Sequence, residues 1–180
     1  MMWIYLITTF MIFAGLTSAV LVSYYDWMKL PFGWARNYDL PGIFAYSTGV
    51  VVLASATAQL GFWAAKRAKT GLSHVGLWAT LVLGVVFLVL QVDGFQALIR
   101  QGIYLVGYNN PSGSFLYVIA FVHGLHLVAA VVALLIMGVN LARGLVKPGR
   151  LLGLELTITF WHALGFLWVY LFIFLSYLYN

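Results

Sequence analysis

The sequence predicts an all-α integral membrane protein, a bundle of five transmembrane helices forming one domain over residues 1–180. Three observations predict it. Charged residues make up 7% of the chain and hydrophobic residues 64%, against about 25% charged in an ordinary soluble domain, so there is too little charge to cover a water-facing surface. The apolar runs are long and lack the two-residue alternation of a barrel strand. In lipid, every backbone N–H and C=O must be paired internally, and a helix does this within one segment.

A hydrocarbon core of about 30 Å needs roughly 20 helical residues. Five segments are long enough: about 2–25, 41–64, 74–98, 113–142 and 152–178. The connections "DWMKLPFGWARNYDLPG", "KRAKTGLS", "RQGIYLVGYNNPSG" and "RGLVKPGR" hold the helix breakers and most of the charge. The first apolar run, Trp3 to Val22, is too long for a signal-peptide core and has no basic stretch ahead of it, so it reads as a retained span. Lys66, Arg67, Lys69, Arg143, Lys147 and Arg150 share one side with the N-terminus, and Lys29, Arg36 and Arg100 lie on the other. The positive-inside rule then puts the N-terminus in the cytoplasm and the C-terminus in the periplasm. The outer loops carry Trp27, Trp34, Tyr38, Tyr104 and Tyr108 as interfacial anchors. The net charge of +5 sits in short loops and is no nucleic-acid signal. With no cysteine, disulfides, thiolate metal sites and cysteine nucleophiles are excluded.

Span two carries Ala54, Ala58, Gly61 and Ala65 at i, i+4, i+7 and i+11. Such a stripe of small residues lets another helix backbone come close. In span three, His74 sits at the cytoplasmic start, and Asp93, with Gln91 beside it, reads as a cap or hydrogen-bond partner near the outer end. Thr8 and Thr9 in span one can bond to the preceding turn.

The stretch "FVHGLHLVAAVVALL" places His123 and His126 three residues apart in span four. His162 lies about as deep in span five as His123 does in span four, roughly 15 Å at 1.5 Å per residue, so antiparallel packing can bring them together. Three readings follow from the spacing: axial ligands of a b-type haem, ligands of copper or zinc, or buried imidazoles hydrogen-bonded across helices. A two-haem arrangement would need more histidines at a second level, and there are none. Glu155 precedes His162 by two helical turns at the cytoplasmic edge, where Arg143, Lys147, Arg150 or a lipid head group can pair with it. No acid–base pair, nucleophile constellation or phosphate loop is present, so the chain has no catalytic residues of its own.

The segment "SGSFLYVIAFVHGLHLVAAVVALL" resembles subunit III of the haem-copper terminal oxidases, in its five-helix form: Gly113, Ser114, His123, Gly124, Leu125 and His126 fall on that family's signature. "ELTITFWHALGFLWVYLFIFLSYLY" is similar to the family's last helix through Glu155, Trp161, His162 and Trp168. "LGVVFLVLQ", "LASATAQLGFWAAKRA" and "WIYLITTFMIF" follow the family in order, so the resemblance covers essentially the whole chain. It implies a non-redox accessory subunit of a cytochrome c or quinol oxidase in the inner membrane, lacking two N-terminal helices of longer relatives. It implies haem and copper in partner subunits and none here, packing against subunit I, association with subunit II and other respiratory subunits, bound phospholipid, support of proton uptake and protection against turnover inactivation. By the same resemblance His123, His126, His162 and Trp161 are interhelical structural residues, and Glu155 with Arg143 is a lipid or intersubunit contact. Two departures stand out: Thr9 and Gly165 occupy positions where many relatives carry acids, so the roles of those acids do not carry over. A groove wall left open by the absent helices would be filled by helices of subunit I or by lipid. The rival expectation is a haem-b membrane anchor of a dehydrogenase or reductase, with His162 and one of His123 or His126 as axial ligands.

Overall fold

The computed structural model describes residues 2–27, 29, 42–101, 112–146 and 151–179. Five long helices account for nearly all of them: α1 (Met2–Trp27), α2 (Ile43–Lys66), α3 (Thr70–Arg100), α4 (Ser112–Ala142) and α5 (Leu152–Tyr179). All five are long and apolar enough to cross a membrane. Trp34, Arg36, Tyr38, Tyr104, Tyr108, Lys147 and Arg150 lie outside the described residues, as does the Trp27 side chain.

Helices α2 to α5 meet in a ring, each touching the next and α5 closing on α2, while α1 lies outside against α4 and α5. The tightest seam joins α2 to α3. On α3 the buried residues are Ser73, Leu77, Thr80, Gly84, Phe87, Gln91, Gly94 and Leu98, alternating steps of four and three. On α2 Ser47, Val51, Ala54, Ala58, Gly61 and Ala65 repeat in the same way. A 3.5-residue repeat keeps one stripe facing its partner along the whole length of an antiparallel pair. The small-residue stripe of span two is therefore the face that meets α3. A Cβ on Gly76 would lie 2.6 Å from Gly61 Cα and 3.0 Å from the Thr57 carbonyl oxygen. Beside this crossing the Thr57 and Thr80 hydroxyls bond each other at 2.9 Å, an interhelical hydrogen bond.

The α2–α3 connection is shorter than the sequence suggests. The polar segment after Lys69 joins the first turn of α3, leaving only Arg67, Ala68 and Lys69 between the helices, and His74 is half-buried inside α3. The turn is closed by Lys69 N–H bonding to Ala64 O at 2.9 Å and Ala68 N–H to Ala65 O at 3.1 Å. This Schellman pattern demands a left-handed residue, and Ala68 supplies it at φ 55°. Helix α4 ends the same way: Leu145 N–H bonds to Asn140 O and Gly144 N–H to Leu141 O, with Gly144 at φ 69°. Glycine takes this conformation without strain and alanine does not. Ala68→Gly is therefore expected to stabilise the fold by up to about 1 kcal/mol, and Gly144→Ala to destabilise it by about as much. Thermal unfolding of both variants in one detergent checks the opposite signs.

Candidate functional site

The histidines were the candidates for chemistry, and the fold separates them. His123 lies on the buried stripe of α4, 2% exposed, between Leu116, Ile119, Leu127 and Ala130 along the same helix. Its ring meets Trp168 of α5 at 5.4 Å between centroids, tilted by 32°, and the edge of Phe13 of α1 at 6.0 Å. Trp168 also packs edge-on against Phe87 of α3 and donates its indole N–H to Thr48 of α2 at 3.1 Å. One transverse layer thus draws on all five helices, with His123 inside it. Among the described residues neither ring nitrogen of His123 has a hydrogen-bond partner. Buried polar atoms left in that state cost about 1–3 kcal/mol each.

His126, half-buried, places its Nδ1 2.8 Å from Val122 O of its own helix, so Nδ1–H donates and Nε2 is left as acceptor. Its ring rests against Tyr5 and Phe13 of α1. The two histidines of α4 therefore face the seam where α1 docks.

His162 belongs elsewhere. Its Nε2 donates to Gln59 Oε1 of α2 at 3.0 Å, tying α5 to α2. The α5 residue level with His123 is Trp168, six positions beyond His162, an offset of about 9 Å along the helix. Equal distance from the span ends was a poor guide, because the register of the antiparallel helices sets the level. Among the described residues no group of three or more His, Cys, Asp or Glu can hold a metal ion. A haem clasped between His162 and a histidine of α4 has no support in this arrangement.

Trp161 is the largest fully buried side chain, and its ring fills the notch left by Gly84: a Cβ there would lie 2.8 Å from Trp161 Cη2. Its indole N–H has no partner among the described residues. Glu155 and Arg143 are both exposed at the same end of the bundle, and no ion pair joins them among the described residues. Sequence reasoning did not single out Gln59, Thr48 or the Ser47–Gln91 pair, in which Gln91 Nε2 donates to Ser47 Oγ at 2.9 Å. For Gln59 the signal was there: an amide well inside an apolar run needs a partner.

Five membrane helices thus meet around a layer of aromatic rings. The sequence model of the family described as cytochrome c oxidase subunit III matches residues 2–180. The chain belongs to that family. A subunit III-family relative named cytochrome bo(3) ubiquinol oxidase subunit 3, from Pseudomonas aeruginosa, is 27% identical over 176 residues, covering 94% of this chain and 79% of its own. A probable quinol oxidase subunit 3 of Staphylococcus saprophyticus is 22% identical over 174 residues, covering 94% of this chain and 83% of its own. A cytochrome c oxidase subunit 3 of Corynebacterium diphtheriae is 25% identical over 126 residues, 70% of this chain, and the match spans 60% of that relative's length. Subunit III of an oxidase is one part of a membrane complex, so this multi-pass protein has other subunits as neighbours.

Proposed function

We propose that this chain is the accessory third subunit of a respiratory haem-copper oxidase, packed against the catalytic subunit in the inner membrane and carrying no redox centre. The observation that carries the reading is the family match over residues 2–180, set on a fold whose polar residues tie helices together. The haem and copper belong to the partner subunits. The electron donor, cytochrome c or quinol, is chosen there too, in keeping with relatives of both names. What this chain contributes is a stiff apolar body that holds the catalytic subunit in shape and supports proton uptake at its surface.

Phospholipid fits beside α1. One groove of about 390 Å³ is lined by Met2, Tyr5, Ala133, Leu156, Thr157 and Phe160, and a second of about 240 Å³ by Phe10, Phe13, Ala14, Phe166, Leu167 and Tyr170. Both are lined mostly by apolar and aromatic side chains. Glu155 and Arg143, exposed at the end nearest the first groove, suit head-group or intersubunit contact there.

Purification through a tag on this chain in mild detergent is expected to bring down a larger multi-helix subunit and oxygen-reducing activity. Recovery of the chain with no such companion contradicts the reading. Orientation has its own test, since the chain has no native cysteine. Single cysteines placed at Leu145 and at Gln101 are expected to differ: in intact cells an impermeant maleimide labels the second and spares the first.

A further inference from the structure

Gln59 and His162 satisfy each other only in part. A primary amide has two N–H donors and a carbonyl with two lone pairs, and a neutral imidazole has one donor and one acceptor. In their bond His162 Nε2–H is the donor and Gln59 Oε1 the acceptor. Among the described residues both amide N–H groups of Gln59 and the Nδ1 lone pair of His162 are left over. Both residues are half-buried, so these groups lie at the edge of the α2–α5 seam and not deep inside the bundle.

Their depth decides what can meet them. Gln59 lies about 10 Å from the Lys66 end of α2 and His162 about 15 Å from the Leu152 end of α5, at 1.5 Å per residue. In a hydrocarbon core about 30 Å thick, that is below the reach of head groups, and an acyl chain offers no hydrogen bond. At the same depth, set by the Thr57–Thr80 bond and the Gly61–Gly76 and Gly138–Trp78 contacts, the outer faces of α3 and α4 are apolar: Val75, Trp78 and Val82 on one, Val132, Leu135 and Ile136 on the other. Polar side chains in a span face a protein interior. Gln59 and His162, partly exposed at mid-depth with hydrogen-bonding groups unused, have no match on those apolar faces.

The α2 surface beside the pair is shaped for a helix. On the side of Gln59 away from Lys66, Ala45, Gly49 and Ala56 keep the exposed strip low around Val52, a Cβ on Gly49 would meet nothing within 4 Å, and Trp63 closes the strip one turn beyond Gln59. On the other wall Phe166 and Ile173 of α5 stand out, 70% and 62% exposed. Small residues along one wall and bulky ones along the other make a groove in which a neighbouring backbone can come close to α2.

We infer that the α2–α5 edge, centred on Gln59 and His162, is the docking surface for a transmembrane helix of another subunit, one that presents hydrogen-bonding side chains at mid-membrane. The inference rests on the reading of this chain as part of an oxidase complex and adds which face of it is covered.

The test uses the full chain in its native membranes. The photocrosslinking residue p-benzoylphenylalanine is placed at Ala56 in one variant and at Val89, on the outer face of α3, in another. Irradiation before solubilisation is expected to join the Ala56 variant to a larger multi-spanning subunit and to leave the Val89 variant free. Ala56→Trp, which leaves the Gln59–His162 bond alone, is expected to lower partner recovery per tagged chain about fivefold, the loss of a close helix contact and its hydrogen bond, while Val89→Trp has no effect. A crosslink from Val89 and none from Ala56 overturns the inference but leaves the oxidase-subunit reading standing. A crosslink from Ala56 to a second copy of this chain overturns it too. A chain that is crosslinked from neither position and purifies alone removes both.

Discussion

Trp161→Ala is expected to destabilise the fold by about 3–5 kcal/mol, the range for removing a large aromatic ring from a packed core. Trp161 is 1% exposed, and its ring reaches from α5 across the ring of four helices to the backbone of α3 at Gly84, beside Val131 of α4. No neighbour can fill that space without moving a helix. The reciprocal change, Gly84→Ala, pushes a methyl to 2.8 Å from Cη2 of the same ring. It is expected to cost about 1–3 kcal/mol as overpacking. The two sites share one contact, so their effects are not additive: in a Trp161→Phe background, Gly84→Ala becomes milder. Unfolding of the four variants in one detergent reads the coupling, and strict additivity would show that the ring and the glycine do not hold each other in place.

Gly76→Ala is expected to cost about 2–3 kcal/mol, at the upper end of ordinary overpacking. The atoms its Cβ would meet are the Cα and N of Gly61, at 2.6 and 2.8 Å, and the carbonyl oxygen of Thr57. All are backbone, so no rotamer change relieves the clash, and α2 and α3 must move apart. That separation also stretches the Thr57–Thr80 bond. Gly15→Ala is the control, since nothing lies within 4 Å of a Cβ there. Thermal unfolding that falls by the same amount for both variants would place the tight crossing elsewhere.

The five helices were legible in the sequence because lipid leaves a chain few options: the apolar runs bound the spans to within a few residues, and the small-residue stripe marked the packing face of α2. The stripe did not name its partner, since small residues on one helix say that something comes close and not which backbone it is. Gly76 supplies that answer only in three dimensions. The start of α3 was misplaced because "TGLS" carries turn-forming residues, yet the tight closure at Ala68 lets the helix begin at Thr70. Alanine is not a residue that announces a left-handed turn, so the turn was hidden. The histidines show the same limit. Their depths along separate spans were readable, but the register between antiparallel helices was not, and that register sets Trp168 level with His123 and turns His162 to Gln59. The family signature was visible in the run from Gly113 to His126 and in the last span, and the match over residues 2–180 agrees with it.

An absorption spectrum of the purified protein, taken before and after its partners are stripped away, decides whether haem belongs to this chain. Haem bands are expected while a large multi-helix subunit is present, and a colourless chain once it is removed. A stoichiometric haem that stays with the isolated chain and disappears in His162→Ala would contradict that expectation and make this protein a haem anchor.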